Sequence, residues 1–295
     1  MCKMETIVLK RHDSIKRVKT VGEVRKQIKK WKREGFTIGL VPTMGFLHEG
    51  HESLIKRAAE ENDKVVVSVF VNPTQFGENE DLGSYPRDIK RDEVLCKKAG
   101  ANLIFNPEPS EMYYKDASTV VNVNGLTEGL CGARRPVHFG GVCLVVSKLF
   151  NIVTPDRAYF GEKDAQQLAV IKKMVKDLNF DIEIVGCPIV REFDGLAKSS
   201  RNTYLSFEER KAASILNESL ILAKKALNLG ERNVGRIKDM INEKLSSEIL
   251  TRIDYIEIVD SLSLEPVQSI SSSILVAIAV YIGRTRLIDN FTFKV

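Results

Sequence analysis

Short, β-branched apolar runs alternate with stretches whose apolar residues recur at helical spacing, and this alternation constrains the fold more than any other feature of the chain. Candidate strands fall at 36–41, 65–71, 102–105, 119–123, 157–160 and 182–190, and candidate helices at 51–62, 86–99, 141–152 and 163–178. Strand and helix in repeated succession predict a parallel sheet covered by helices. The run Phe36-Thr-Ile-Gly-Leu-Val41 is nearly continuous in its apolarity, as a strand buried on both faces is. Gly50 and Gly100 punctuate the pattern, and Asn106-Pro-Glu-Pro109 marks a loop.

The pattern changes after Val190. A charged segment, Arg191 to Asn202, leads through Ser206, spaced from Glu209 as a capping box, into a helical pattern that ends near Leu229-Gly230. A second helix pattern at 233–245 and β-rich segments at 253–259, 273–281 and 286–293 follow. Two units are therefore expected: an α/β domain over residues 1–190 and a smaller α+β domain over 191–295, with the charged segment as hinge or seam.

With 43% hydrophobic and 28% charged residues, the composition is that of a folded globular chain. The net charge of +5 is small and the cations are interspersed with acids, which argues against a dedicated nucleic-acid binder. The densest basic cluster, Lys10 to Lys32, carries Val18, Val21, Val24, Ile28 and Trp31 at near-helical spacing and reads as the solvated face of a helix. Cys2, Cys96, Cys131, Cys143 and Cys187 are odd in number and lack metal-ligand spacing, so a reducing cytoplasm is expected. The opening Met-Cys-Lys-Met-Glu-Thr has no apolar signal core, and Ile274 to Ile282 is too short to span a bilayer; a buried strand is expected there, and no membrane partner.

In open α/β sheets, ligands lie beyond the carboxyl ends of the strands, and here those ends are strongly polar. One delivers Thr43, Met44, Gly45, His48 and His51; others deliver Asn72-Pro-Thr-Gln75, then Gly161-Glu-Lys163-Asp164-Ala-Gln-Gln167, then Lys198-Ser-Ser-Arg201. The turn from Pro42 to His51 precedes a helix N-terminus, where free N–H groups and the macrodipole suit a polyphosphate. His48 and His51 are candidates for phosphate donors, metal ligands or ordinary helix-start residues. The paired glycines favour donors, and the absence of HExxH or a third nearby ligand disfavours zinc. Near a helix start such imidazoles resist protonation until a polyphosphate arrives. Lys163 can reach a phosphate, Ser199-Ser200-Arg201 offers two hydroxyls and a fork, and Gln75 and Gln167 are amides suited to a small polar substrate. No nucleophile, carboxylate pair, Walker A or GxGxxG stands out. Donors without a nucleophile suggest positioning and charge stabilisation, with one substrate attacking another.

These residues resemble the pantothenate synthetase (pantoate–β-alanine ligase) family of the HIGH-motif nucleotidyltransferase-like superfamily. The resemblance is carried, in order, by Pro42 to His51, Phe70-Val-Asn-Pro-Thr-Gln-Phe76, Tyr85-Pro-Arg87, Val146 to Asn151, Tyr159 to Gln167, Asp194 to Asn202 and Arg286 to Asn290. It implies a Rossmann-like ATP- and pantoate-binding domain, a C-terminal lid domain, a cytoplasmic homodimer, and Mg²⁺-dependent use of ATP to make pantothenate, a coenzyme A precursor, through pantoyl adenylate. Carried over residue by residue, ATP would meet Met44, Gly45, Phe46, Leu47, His48, Glu49, Gly50 and His51, then Gly161, Glu162, Lys163 and Asp164, then Val190, Lys198, Ser199, Ser200 and Arg201. The resemblance makes His51 the catalytic acid, with His48, Lys163 and Arg201 beside it. Gln75 would serve pantoate and β-alanine, Gln167 pantoate, and Asp92 a site near Mg²⁺. Two positions depart from the family pattern: Arg135-Pro-Val137-His138-Phe-Gly140 replaces Arg-Pro-Gly-His-Phe-Arg, which lowers the weight on His138, and Lys198 stands where many members carry Met or Leu. The competing readings are an adenylyltransferase of the same fold, which would retain the nucleotide in its product, and a nucleotide-binding regulator without catalysis.

Overall fold

The structure, a computed structural model, describes residues 15–78 and 80–295. The amino-terminal residues through Ser14, including Cys2 and the start of the basic cluster, lie outside it. In chain order the first unit comprises β1 (Lys16–Val18), α1 (Val21–Arg33), β2 (Ile38–Thr43), α2 (Glu49–Glu61), β3 (Lys64–Val69), α3 (Ile89–Ala99), β4 (Leu103–Phe105), α4 (Pro109–Met112), α5 (Leu130–Arg134), α6 (His138–Val153), β5 (Arg157–Gly161), α7 (Ala165–Asp177) and β6 (Glu183–Cys187). The second comprises α8 (Phe207–Ala212), α9 (Ile215–Asn228), α10 (Val234–Ser246), β7 (Thr251–Asp260), β8 (Ile274–Ile282) and β9 (Thr285–Phe293).

The first six strands form one parallel sheet in the order β1-β4-β3-β2-β5-β6. The expected Rossmann-like α/β architecture is present. Helices cover both faces because the central strands are apolar at successive positions: Ile38, Leu40, Val41, Val65, Val66 and Val67 are all buried. One face packs on α1, α6 and α7, the other on α2 and α3. Helix α1 shows how the sequence sets an element. Thr20 and Glu23 form a capping box, and Val24, Ile28 and Trp31 put one apolar stripe into the core while the lysines stay outside.

Two expectations are corrected. The run 119–123 forms no strand among the described residues. It is extended, and its alternation arises because Val121 and Val123 pack on the core while Val120 is 76% exposed. An extended chain lying over a surface shows the same period of two as a paired strand. The sixth strand is instead β1, only three residues long and paired with β4. The stretch 182–190 leaves the sheet after Cys187, just before Pro188.

Beyond the seam, β7, β8 and β9 make an antiparallel sheet packed on α9 and α10 around its own core, from Leu196 to Leu287. The expected helix after Ser206 is split into α8 and α9 at Ala213-Ser214. Leu130 meets Val259, Leu264, Leu275 and Ala277 across the seam. Within the second unit, Arg191 at the start of the seam segment grips the buried Asp289 of β9 with bonds of 2.7 and 3.0 Å. Among the described residues, no helix is long and apolar enough to cross a membrane.

Candidate active site

The strand order reverses at β2, which has β3 on one side and β5 on the other, so the loops leaving β2 and β5 diverge and open a crevice. The loop after β2 is a left-handed turn. Gly45 has φ +84° and Phe46 φ +50°, and a Cβ on Gly45 would stand 3.0 Å from Val69 Cγ1 and 3.1 Å from Asp92 Oδ2. Asp92, only 1% exposed, receives the N–H groups of Phe46 at 2.9 Å and Leu47 at 2.7 Å on its two oxygens. Each Asp92 oxygen thus holds one N–H of the turn, and the carboxyl, expected near Mg²⁺, does not line the crevice.

The turn delivers His48 as the N-cap of α2. Its Nδ1 accepts the N–H of Gly50 at 3.1 Å, while Nδ1 of His51 accepts the N–H of His48 at 3.2 Å, a reciprocal cap built from imidazoles. A ring that accepts on Nδ1 carries its proton on Nε2, so each histidine keeps one free donor. Burial pushes His48 down to about 4, helped by Lys163 and Lys198. Burial, and then His48, hold His51 well below the usual imidazole range. Both rings are neutral at pH 7, as the helix-start position suggests, although loss of solvent is the larger cause.

The loop after β3 forms a tight turn over 73–75 that docks on α6. Asn72 Nδ2 donates to Gln75 Oε1 and to Gly141 O, each at 3.1 Å, and Gln75 Nε2 donates to Met44 Sδ at 3.2 Å. His138 Nδ1 donates to the carbonyl of Gln75 at 3.0 Å, which leaves Nε2 to accept from Arg135 Nη1 at 3.3 Å. Burial, then the Arg135 charge, pushes His138 down to about 4. His138 therefore seats Gln75, and the two departures flanking it leave that contact in place. Val137 is half exposed, and Gly140 faces Asn122, where a Cβ would approach Oδ1 to 2.8 Å.

The loop after β5 carries Lys163, whose Nζ has only Asp164, at 3.9 Å, among described carboxylates. Asn290 of β9 donates to the carbonyls of Glu162 and Lys163 at 3.1 and 2.8 Å and fixes that loop from across the seam. The seam segment closes the opposite wall. Ser199 Oγ accepts the N–H of Arg201 at 3.2 Å, and Ser200 Oγ donates to the carbonyl of Phe46 at 3.2 Å. Arg201 donates to Asp81 at 3.0 and 2.8 Å, and Lys198 sits 3.2 Å from Glu49 and 3.8 Å from Glu192.

One crevice of about 230 Å³ is lined by Met44, His48, Gly50, His51, Gln75, Gly161, Lys163, Asp164, Gln167, Val190, Lys198, Ser199, Ser200 and Arg201. Phe70, Val142, Val145, Val146, Leu149 and Phe160 supply an apolar wall. Of the positions expected to meet ATP, five do not line it: Gly45, Phe46, Leu47, Glu49 and Glu162. Leu47 is fully buried in the core, Phe46 lies 4.6 Å from the Arg91 guanidinium, and Glu49 turns to Lys198. Sequence reasoning assigned no role to Asn72, Glu80, Asp81, Tyr85 or Arg135. Asn72 and Tyr85 stood inside recognised motifs, whereas nothing in the sequence tells that Glu80 pairs with Arg135.

An adjoining chamber of about 530 Å³ runs between the two sheets and shares Arg135, Lys163 and Arg201 with the crevice. Chemically, the crevice offers neutral N–H donors, cations at two depths and an apolar pocket ending in amides. That set suits an anion-rich nucleotide beside a small acid with a hydrocarbon body.

The family profile of pantoate-beta-alanine ligase matches residues 16–292. The pantothenate synthetase of Enterococcus faecalis is 68% identical over 276 residues, covering 94% of this chain and 98% of that one. The enzyme of the same name from Clostridioides difficile is 69% identical over 277 residues, with the same coverage of 94% and 98%. Among solved structures, pantothenate synthetase from Thermus thermophilus superposes with a TM-score of 0.90 at 45% identity, covering 94% of this chain and 99% of that one. Pantoate-beta-alanine ligase from Francisella tularensis, complexed with beta-gamma ATP and beta-alanine, gives 0.78 at 34% identity, covering 94% and 97%. The chain belongs to the pantoate–β-alanine ligase family.

Proposed function

We infer that the protein condenses pantoate with β-alanine to give pantothenate, AMP and pyrophosphate, an AMP-forming ligase that makes an amide bond. The single observation that carries this at the site is the convergence, in one crevice, of the two neutral histidines, Lys163, the Ser199 to Arg201 segment and the two glutamines. Family membership favours this reading over an adenylyltransferase and over a non-catalytic regulator. In the first step the pantoate carboxylate attacks the α-phosphorus of ATP in line, the bond to the bridging oxygen breaks, and pyrophosphate departs. The nucleophile is already an anion, so no base is required. The barrier lies in charge gathering on phosphate oxygens, which the Nε2–H groups of His48 and His51, the Lys163 ammonium and the Arg201 fork offset. In the second step the neutral amine of β-alanine attacks the acyl carbon, AMP leaves, and the amine proton passes to solvent.

Gln75 and Gln167 bind pantoate, with its hydrocarbon body against the Val142 to Leu149 wall, and Gln75 then meets β-alanine. For magnesium the donors at hand are few. Among the described residues no group of three or more His, Cys, Asp or Glu could hold a metal, and Asp92 is committed to the turn. The residues do not build a magnesium cage, and the ion fits only as a passenger on the nucleotide phosphates. Residues 1–190 act as the nucleotide and pantoate domain and 191–295 as the lid that keeps water from the adenylate. The free cysteines Cys96, Cys131, Cys143 and Cys187 agree with a cytoplasmic setting. The segment around Val120, exposed and unpaired among the described residues, supports a homodimer, which sedimentation would register as twice 33.1 kDa.

Pantoate-dependent exchange of labelled pyrophosphate into ATP tests the reaction. Exchange that requires pantoate but not β-alanine is expected; a folded, magnesium-supplied sample without exchange would return the chain to the regulator reading, and a nucleotidyl product in place of AMP to the adenylyltransferase.

A further inference from the structure

Two neighbouring carboxylates of one loop hold two arginines of the crevice. Glu80 receives Arg135 Nε at 3.0 and 3.1 Å on its two oxygens, with a further bond from Nη2. Asp81 receives Arg201 Nε at 3.0 Å and Nη2 at 2.8 Å. Both guanidinium groups line the crevice, and all four side chains are no more than 29% exposed. The same loop touches the seam segment again, where Tyr204 OH donates to Ser84 O at 3.4 Å. A carboxylate taking two parallel N–H bonds from a guanidinium uses the geometry that a phosphate uses.

We propose that Asp81 is a positioning residue that stands in for phosphate: while Glu80 holds Arg135, Asp81 holds Arg201 until nucleotide binds, and the incoming nucleotide takes the Arg201 fork from it. This rests on the reading that Arg201 meets the phosphates. The two halves of the device differ. Arg135 also reaches the carbonyl of Gln75 at 3.5 Å and His138 at 3.3 Å, so the Glu80 pair stays closed and keeps the pantoate glutamine in place. Arg201 has no acceptor other than Asp81 among the described side chains, so its fork is the one that transfers. An unpaired guanidinium at this depth would be costly before nucleotide binds, and Asp81 removes that cost at the expense of nucleotide affinity. Nucleotide occupancy is thereby linked to the grip of the loop on the seam.

The test is calorimetric titration of the non-reacting α,β-methylene analogue of ATP, with magnesium, into wild type, Asp81→Asn, Arg201→Gln and the double variant, each checked for cooperative melting. Asp81→Asn should bind the analogue about three- to tenfold tighter, the opposite of what structural damage gives. Arg201→Gln should weaken it, and in that background the gain from Asp81→Asn should vanish. Asp81→Ser serves if the asparagine variant does not fold. Weaker or unchanged binding by the Asp81 variants, with Arg201→Gln still harmful, overturns the stand-in while leaving the phosphate reading intact. Unchanged binding by Arg201→Gln overturns that reading itself.

Discussion

His51 is held by a cap bond on Nδ1 and keeps Nε2–H for a ligand, and Lys163 is a cation with one distant carboxylate partner among the described residues. Groups so prepared need no reorganisation when charge builds on a phosphate, and removal of one such donor commonly costs about 10²–10³ in rate. Steady-state kinetics and pyrophosphate exchange should show losses of that size for His51→Ala and Lys163→Ala; a loss under about fivefold in either would remove that residue from the mechanism. Asp92 makes the opposite kind of contribution. Asp92→Asn exchanges one acceptor for an NH₂ facing a buried N–H, so denaturant unfolding should register a loss of about 1–3 kcal/mol. The magnesium requirement should not move, and a shifted requirement at unchanged stability would restore the metal role.

Helix α6 and the 73–75 turn meet at Gly141, and this contact decides where Gln75 stands. A Cβ on Gly141 would fall on the Thr74 carbonyl oxygen and 2.5 Å from Gln75 N. Gly141→Ala should therefore cost about 1–3 kcal/mol of stability and raise the KM for pantoate by about tenfold, with a smaller change for ATP. Equal changes in both constants would mean that the contact supports the whole crevice and not the glutamine alone. The elements themselves were legible where hydrophobic period, length and capping agreed, as in α1 and in β2 to α2. The stretch 119–123 had a strand's composition and no neighbour to pair with among the described residues, and β1 was too short to show a period. At the site, strand-end motifs carried His48, His51, Gln75, Lys163 and Arg201 into one crevice. What stayed hidden were the pairings across long separations, Glu80 with Arg135 and Asn290 with the Lys163 loop, because only the fold brings them together.

The crevice lies between two cores, and three of the chain's four histidines, His48, His51 and His138, are withdrawn from water in assembling it. That arrangement ties global stability to pH. Each has a folded value below the unfolded one, near 6.5 unfolded against about 4 folded for His48 and His138. Between those values the unfolded chain binds more protons, so stability is complete above about pH 6.5 and drains away as the pH falls toward 4. Glu80 and Asp194, held down in the folded state, lose their stabilisation only as pH falls below the unfolded carboxylate range. Asp92, pushed up by burial, works in the opposite sense and relieves some of the loss. The window from 6.5 to about 4.5 therefore belongs to the histidines. Urea unfolding at pH 7, 6 and 5 should show stability falling by about 2 kcal/mol per histidine between the ends of that series. His138→Gln should remove its share of the slope while the slope from His48 and His51 persists. A stability flat between pH 7 and 5 would mean that these rings are solvated or already paired with acid in the folded protein, and the neutral Nε2–H donors on which the charge-stabilisation argument stands would go with it.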